Sequence, residues 1–266
     1  MKKSFILLMT VLASSWLMWS CNTAQDQAQE EEGGEQIALK VSPLTGSPEF
    51  ADAALSLEGE PTMDGNKATF NFKVENYTLG EQTPGAGTNG LANSAKGQHI
   101  HFIVDNGPYS AHYEPVVEKE FEPGNHVILA FLSRSYHESV KNPNSYVLTQ
   151  LQAGGQGEAL DLSGPHLFYS RPKGTYKGDD TKKLMIDFFL INCDLSETGF
   201  KVKATISGDG YQHEETFTKW QPYVVEGLPL GEVKVRLELI DAEGNTVDSP
   251  FNPVERSVSL AAADAS

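Results

Sequence analysis

The chain has 266 residues, with 20 Lys and Arg against 36 Asp and Glu, a formal net charge of −16 at pH 7. Such a chain repels nucleic acid and anionic membrane surfaces, which excludes a polyanion-binding role except through a local basic patch. Its two cysteines, Cys21 and Cys193, give no disulfide framework, so stability has to come from packing.

The first residues read as an export leader. Lys2 and Lys3 open it, Phe5 to Met18 form an almost unbroken apolar run, and the chain turns polar at Asn22-Thr23-Ala24. The run is short for a membrane span and lacks a stop-transfer flank, so residues 1–20 are read as a signal peptide. Ser20-Cys21 resembles the cleavage site of bacterial lipoproteins. That resemblance implies a lipid on Cys21, anchorage to the outer membrane of the cell envelope, facing the periplasm or the surface, and loss of Lys2 and Lys3 with the leader. Residues 21–50, with the run Glu30-Glu31-Glu32-Gly33-Gly34, hold few large apolar groups and are expected to be a flexible, disordered acidic tether.

Strand signals dominate from residue 52 onward. Lys67–Val74 sets Ala68, Phe70, Phe72 and Val74 in alternation with polar residues. Similar runs follow at His99–Asp105, Val116–Phe121, His126–Leu132, Tyr146–Leu151, Lys183–Ile191, Phe200–Ile206, Tyr223–Glu226, Val233–Ile240 and Val254–Leu260. Turn residues such as Asp105-Asn106-Gly107-Pro108 and Ser207-Gly208-Asp209-Gly210 separate them, and no long helical periodicity intervenes. The halves read as copies: Phe72–Leu79 aligns with Phe189–Leu195, asparagine on asparagine, and His99–Val104 with Lys201–Ile206. Phe121–Val127 aligns with Leu228–Val233, given a small shift at the proline. The expected fold is all-β, two tandem immunoglobulin- or fibronectin-III-like β-sandwich domains over 51–153 and 164–261. The Gly-rich insertion 80–97 reads as a long mobile loop on the first.

Five of the seven histidines fall between His99 and His137. His99 and His101, two apart on a strand, share a face. Their repeat partners Lys201 and Lys203 have to face water, so the two histidines are expected on the outer face of their sheet. The alignment also sets Glu232, Lys234, Arg236 and Glu238 against His126, Ile128, Ala130 and Leu132. That gives the first domain an apolar, histidine-rich outer face, a contact surface or one covered by the insertion or the sister domain. If the third and sixth strands pair antiparallel, His137 approaches His99 while His126 lies at the far end. Neutral imidazoles then suit zinc or copper on His99, His101 and His137, with Glu138 a possible addition. The alternative is a polar-aromatic cluster without metal.

A basic set, Arg134, Lys141, Arg171 and Lys173, offers an anion site in an acidic chain, unless Arg134 closes an ion pair with Glu120 or Asp105 and Arg171 pins the domain junction. Tyr109, Tyr113, Tyr136 and Tyr146 gather nearby, as they would for a peptide or glycan partner, and Trp220 is expected in the second core. No Gly-x-Ser-x-Gly elbow, phosphate loop or His-Glu-x-x-His occurs, and Cys193 sits in an apolar strand.

The segments Gly97–Pro108, Phe131–Pro143, Phe168–Gly174 and Pro250–Arg256 resemble a family of small exported bacterial lipoproteins, some labelled phosphopeptide-binding. The resemblance spans roughly residues 50–260 and implies a sheet-based binding module, with Arg134, Lys141, Arg171 and Lys173 as its phosphate candidates. The sequence therefore leads to a lipid-anchored binding or adhesion protein rather than an enzyme. It is expected to recognise a protein, peptide or glycan through the histidine-rich face of domain 1, using Tyr109 and Tyr136, without nucleic acid and without a cofactor. The alternatives are a periplasmic or surface zinc- or copper-binding protein and a phosphopeptide- or anion-binding module.

Overall fold

The computed structural model describes residues 37–264 apart from Gln156. The leader, Cys21 and the acidic run of the tether lie outside the described residues. In chain order the strands are β1 (Lys40–Pro43), β2 (Ala54–Leu57), β3 (Thr62–Asp64), β4 (Lys67–Glu75), β5 (His99–Val104), β6 (Ser110–His112), β7 (Val116–Glu120), β8 (Gly124–Ser133) and β9 (Tyr146–Ala153). After a crossing between Ala153 and His166 come β10 (His166–Arg171), β11 (Thr175–Lys177), β12 (Leu184–Ile191), β13 (Lys201–Gly208), β14 (Tyr211–Phe217), β15 (Tyr223–Glu226), β16 (Gly231–Ile240) and β17 (Val254–Ala261).

Two sandwiches result. In the first, β2-β4-β3, with β7 also on β4, faces β6-β5-β8-β9. In the second, β1-β15-β12-β10 faces β11-β17-β16-β13-β14. Strands β2, β4, β5, β6, β7, β8 and β9 have the same neighbours as β10, β12, β13, β14, β15, β16 and β17, the immunoglobulin/fibronectin-III-like arrangement repeated in tandem. Alternation fills each core: Phe70, Phe72, Ile100, Phe102, Ile128, Ala130 and Leu132 in the first, Leu184, Ile186, Phe188, Val202, Ala204, Val235 and Leu237 in the second. The aligned asparagines carry the repeat into the backbone. Asn76 and Asn192, each just past its strand, adopt φ of 54° and 55°. Each turns its side-chain amide onto carbonyls of the segment entering its own sandwich, Asp52 for Asn76 and Leu162 for Asn192. Asparagine tolerates this left-handed geometry because its short polar chain bonds locally.

Three expectations are corrected. The tether does not extend to residue 50: Val41 and its neighbours in β1 pair antiparallel with β15 and pack on the second core. The 80–97 segment is not a mobile loop. It has no strand, but Thr83 and Ser135 exchange hydrogen bonds of 3.2 and 3.0 Å, and the Ser94 amide donates to the Ser135 carbonyl at 2.8 Å. Leu91 is buried with Tyr136, Met185 and Val224.

The third correction concerns register. His101 pairs with Phe131 on β8, and Lys203 with Glu238 on β16, so the outer-face counterparts of Lys234, Arg236 and Glu238 are Val127, Leu129 and Phe131. Ile128, Ala130 and Leu132 point into the core instead. A one-residue slip exchanges the two faces of a strand. The face so corrected is still apolar, and it is covered: Ile103, Val127, Leu129 and Phe131 pack against Phe168, Phe189 and Ile191 of the second sandwich. Phe131 and Phe189 stack with centroids 4.8 Å apart.

Candidate metal centre at the junction

The site grows from the edge of that junction. His99 and His101 alternate with Ile100 and Phe102, so core packing of the latter pair fixes the imidazoles on the outer face, where both are fully buried. Pairing of His99 with Ser133 brings the end of β8 beside them. There the chain reverses through Arg134–Glu138, closed by Arg134 N–H to the Glu138 carbonyl and His137 N–H to the Arg134 carbonyl, both 2.8 Å. His137 adopts φ of 71°, the left-handed region that Asn, Asp and His enter more readily than other residues with a side chain. That turn directs its ring back over the strand.

Three nitrogens converge. His99 Nε2 lies 3.0 Å from His101 Nε2 and 3.2 Å from His137 Nδ1, and one ligand atom of each ring lies within 4.8 Å of the other two. Imidazoles on one tetrahedral ion at ~2.0–2.1 Å stand about 3.3 Å apart, so two of these separations are close to what a shared ion imposes. The outer nitrogens are held from behind. His99 Nδ1 is 2.8 Å from the Gly97 carbonyl, an acceptor only, so this nitrogen carries the proton and Nε2 presents its lone pair to the cluster. His101 Nδ1 meets Ser170 Oγ of the second sandwich at 3.2 Å. His99 Nε2 offers one lone pair, which can accept from His101 Nε2–H or be turned to a cation shared by the three rings.

Gly97 is required for this geometry. Its φ is 86°, and a Cβ there would overlap the carbonyl oxygens of Gly80 and Glu81. Tyr109 closes one side: its ring stacks on His101 at 3.5 Å with 13° between planes, and its hydroxyl lies 3.3 Å from His137 Nδ1. Lys173 Nζ sits 4.3 Å from the centroid of the same ring and donates to the Tyr109 carbonyl at 2.6 Å.

Burial keeps the rings neutral. It lowers the pKa of His99 to about 4 against a partial lift from the Gly97 carbonyl, with the Arg171 charge adding to the fall. Burial likewise holds His101 well below its ordinary value, followed by the neighbouring histidines, Arg171 and Lys173, and His137 is lowered by burial, then by Arg171. Tyr109 is raised to about 12 by burial and keeps its proton. A neutral imidazole is the ligand form.

The remaining candidates separate. Glu138 does not join the cluster: it pairs with Arg134 at 3.2 Å and accepts from Ser47. Arg134 is paired, but with Glu138 rather than Glu120 or Asp105. Lys141 Nζ is 2.5 Å from the carboxylate of the fully buried Asp187. Arg134 and Lys141 are thus each taken up by a carboxylate, and Asp187 lies opposite Arg171 on the neighbouring strand. Arg171 is buried at the junction, donating to Tyr176 Oη at 3.0 Å. Tyr136 packs with Leu91 and Met185, and Trp220 is only partly buried, its indole donating to the Phe188 carbonyl at 2.9 Å and its ring edge-on to Phe189. His126 bonds Asp105 at 2.6 Å, far along β8, and His112 bonds Ser110 at 2.8 Å. The Cys193 thiol is pushed to about 11 by burial. Because the histidine face lies between the sandwiches, it is not an exposed docking surface, which corrects the expectation of a partner bound there. Sequence reasoning missed Ser170 and the stacking of Tyr109 on His101, since both depend on how the sandwiches dock.

No family model matches the chain, and no curated protein matches it. Among solved structures it is similar to fibronectin(III)-like modules of Clostridium thermocellum CbhA (TM-score 0.28, 12% identity, 79% of this chain and 95% of that one). It is also similar to a two-domain fibronectin type-III segment of chicken tenascin (TM-score 0.23, 10% identity, 78% and 99%). The central fibronectin-III array of RIM-binding protein gives a TM-score of 0.25 at 11% identity over 80% of this chain and 70% of that one. At these scores the tandem-sandwich fold rests on the strand pairing described above.

Proposed function

We propose that this chain is an extracytoplasmic metal-binding protein, lipid-anchored through Cys21 to the outer membrane, that holds one zinc or copper ion on His99, His101 and His137. The observation that carries this reading is the convergence of three imidazole nitrogens, those of the fully buried His99 and His101 and the half-buried His137, two of the separations being 3.0 and 3.2 Å, with His99 fixed from behind by the Gly97 carbonyl. Orientation of a ligating imidazole through its second nitrogen is the usual support of a metal site. A left-handed backbone at His137 adds to it, since such strain concentrates at functional positions. The export signal fits a protein that meets metal outside the cytoplasm, and the strongly acidic surface keeps it soluble there.

Binding, not catalysis, is the role this supports. His99 and His101 are fully enclosed, and Tyr109 covers the cluster, so a substrate has no evident approach. The test is thermal unfolding of the metal-free chain with and without one equivalent of Zn(II) or Cu. Binding to the native state alone raises the midpoint, and a His99→Gln/His101→Gln variant abolishes the rise. An unchanged midpoint with both metals contradicts the proposal.

A further inference from the structure

Resting on the metal-binding reading above, we infer that the junction site selects Cu(I) over Zn(II). Three observations converge on this. First, the donor set is three neutral imidazoles. Among the described residues no thiolate or carboxylate joins it: Glu138 is held by Arg134 and Ser47, and Asp187 by Lys141 and Ser139. Structural zinc takes four protein ligands, and catalytic zinc fills its fourth position with water or substrate. Cu(I), a closed-shell monocation, is content with three nitrogens in a plane, and imidazole suits copper as well as zinc.

Second, the site is enclosed on the His99 and His101 side. His99 and His101 are fully buried, the Tyr109 ring lies on His101, and the packed 80–97 segment ties its Ser94 hydroxyl to Tyr113, whose ring lies 5.2 Å from His99. The Tyr109 hydroxyl lies 3.3 Å from His137 Nδ1. On the His99 and His101 side a fourth ligand from water is excluded, and of the three rings only His137 is in part exposed.

Third, the charge around the site is positive. Arg171 and Lys173 flank the stacked Tyr109 ring, with the guanidinium carbon 5.8 Å and the ammonium 4.3 Å from its centroid, and they bond hydroxyl and carbonyl groups rather than carboxylates. The nearby carboxylate of Asp187 is already spent on Lys141. Repulsion by fixed cations scales with the charge of the bound ion, so at any effective dielectric a dication is opposed twice as strongly as a monocation. The positive flank therefore discriminates by charge, while the three-nitrogen cradle discriminates by coordination number.

The experiment is a pair of competition titrations on the metal-free full chain, one with Cu(I) alone under anaerobic, reducing conditions against a Cu(I) chelator, the other with Zn(II) alone against a Zn(II) chelator. The expected result is one Cu(I) per chain, bound at least 100-fold more tightly than Zn(II). Lys173→Met should narrow that ratio about tenfold by favouring Zn(II), a change that simple loss of packing would not produce. His137→Asn, which leaves the buried strand untouched, should lose Cu(I) without unfolding. Zn(II) bound as tightly as Cu(I) or more so would overturn the copper inference and leave the metal reading standing. Binding of neither ion would overturn both.

Discussion

His99 and His137 are 38 positions apart in sequence, yet their ring nitrogens lie 3.2 Å apart. Two features make this contact. Antiparallel pairing sets His99 against Ser133, and the turn that follows folds His137 back with a positive φ.

The turn and the ring can be tested separately. Replacing His137 by Asn keeps a residue that tolerates the left-handed region, so stability should stay near wild type, whereas His137→Ala should cost about 1 kcal/mol. Both should weaken metal binding about 100-fold or more, since a primary ligand contributes at least as much as the supporting groups behind it. Urea denaturation and metal competition on the two variants give both numbers.

Gly97 couples backbone to site. A methyl group there meets the carbonyls of Gly80 and Glu81 in a conformation L residues rarely adopt, so Gly97→Ala should destabilise by about 3 kcal/mol or more. It should also displace the acceptor of His99 Nδ1. Chemical denaturation should register the first effect, and loss of metal affinity in the folded fraction the second.

The junction is built like a core. Phe189 stacks on Phe131 and meets the Trp220 ring at 5.0 Å, fully buried. Phe189→Ala should cost about 3–5 kcal/mol. Because the face it leaves belongs to both sandwiches, wild type should unfold in one transition and the variant in two, read by intrinsic fluorescence against far-ultraviolet circular dichroism.

His166 gives a pH dependence away from the metal cluster. Its Nδ1 lies 2.6 Å from Ser249 Oγ, and burial lowers its pKa below the ordinary value, the Leu162 carbonyl and Asp161 opposing this in part. The unfolded ring takes up a proton near pH 6.5 while the native ring resists it, so the unfolded state binds more protons as pH falls. Its contribution to stability is complete above pH 6.5 and is lost as pH drops through 6.5 toward the lower native value. His166→Gln should therefore reduce the difference between urea midpoints at pH 7.5 and pH 5.0.

Most of the sheet framework is legible in the sequence because alternation such as Ala68-Thr69-Phe70-Asn71-Phe72 has one meaning in a half-buried strand. The repeat is legible through Asn76 and Asn192, which do the same backbone work in both halves. The sixth-strand register is not, because Pro123 and Pro229 are not equivalent: Gly124 and Gly231 are the matching starts of β8 and β16. Anchoring on the prolines slips the strand by one residue and exchanges its faces. The three histidines are legible from strand parity and antiparallel pairing. The cover over them is not, because the docking of Phe168 and Phe189 and the packing of Leu91 into the far sandwich involve contacts with no local signal. Short edge strands such as β1 and β6 are equally silent, since a few residues carry too little alternation to read.

The most direct test is elemental analysis of the purified full chain after exposure to zinc and copper, beside the His99→Ala/His101→Ala variant with its folding checked by circular dichroism. The account predicts one metal ion per wild-type chain and none in the folded variant. A wild-type chain free of metal, or a folded variant that keeps its ion, would contradict it.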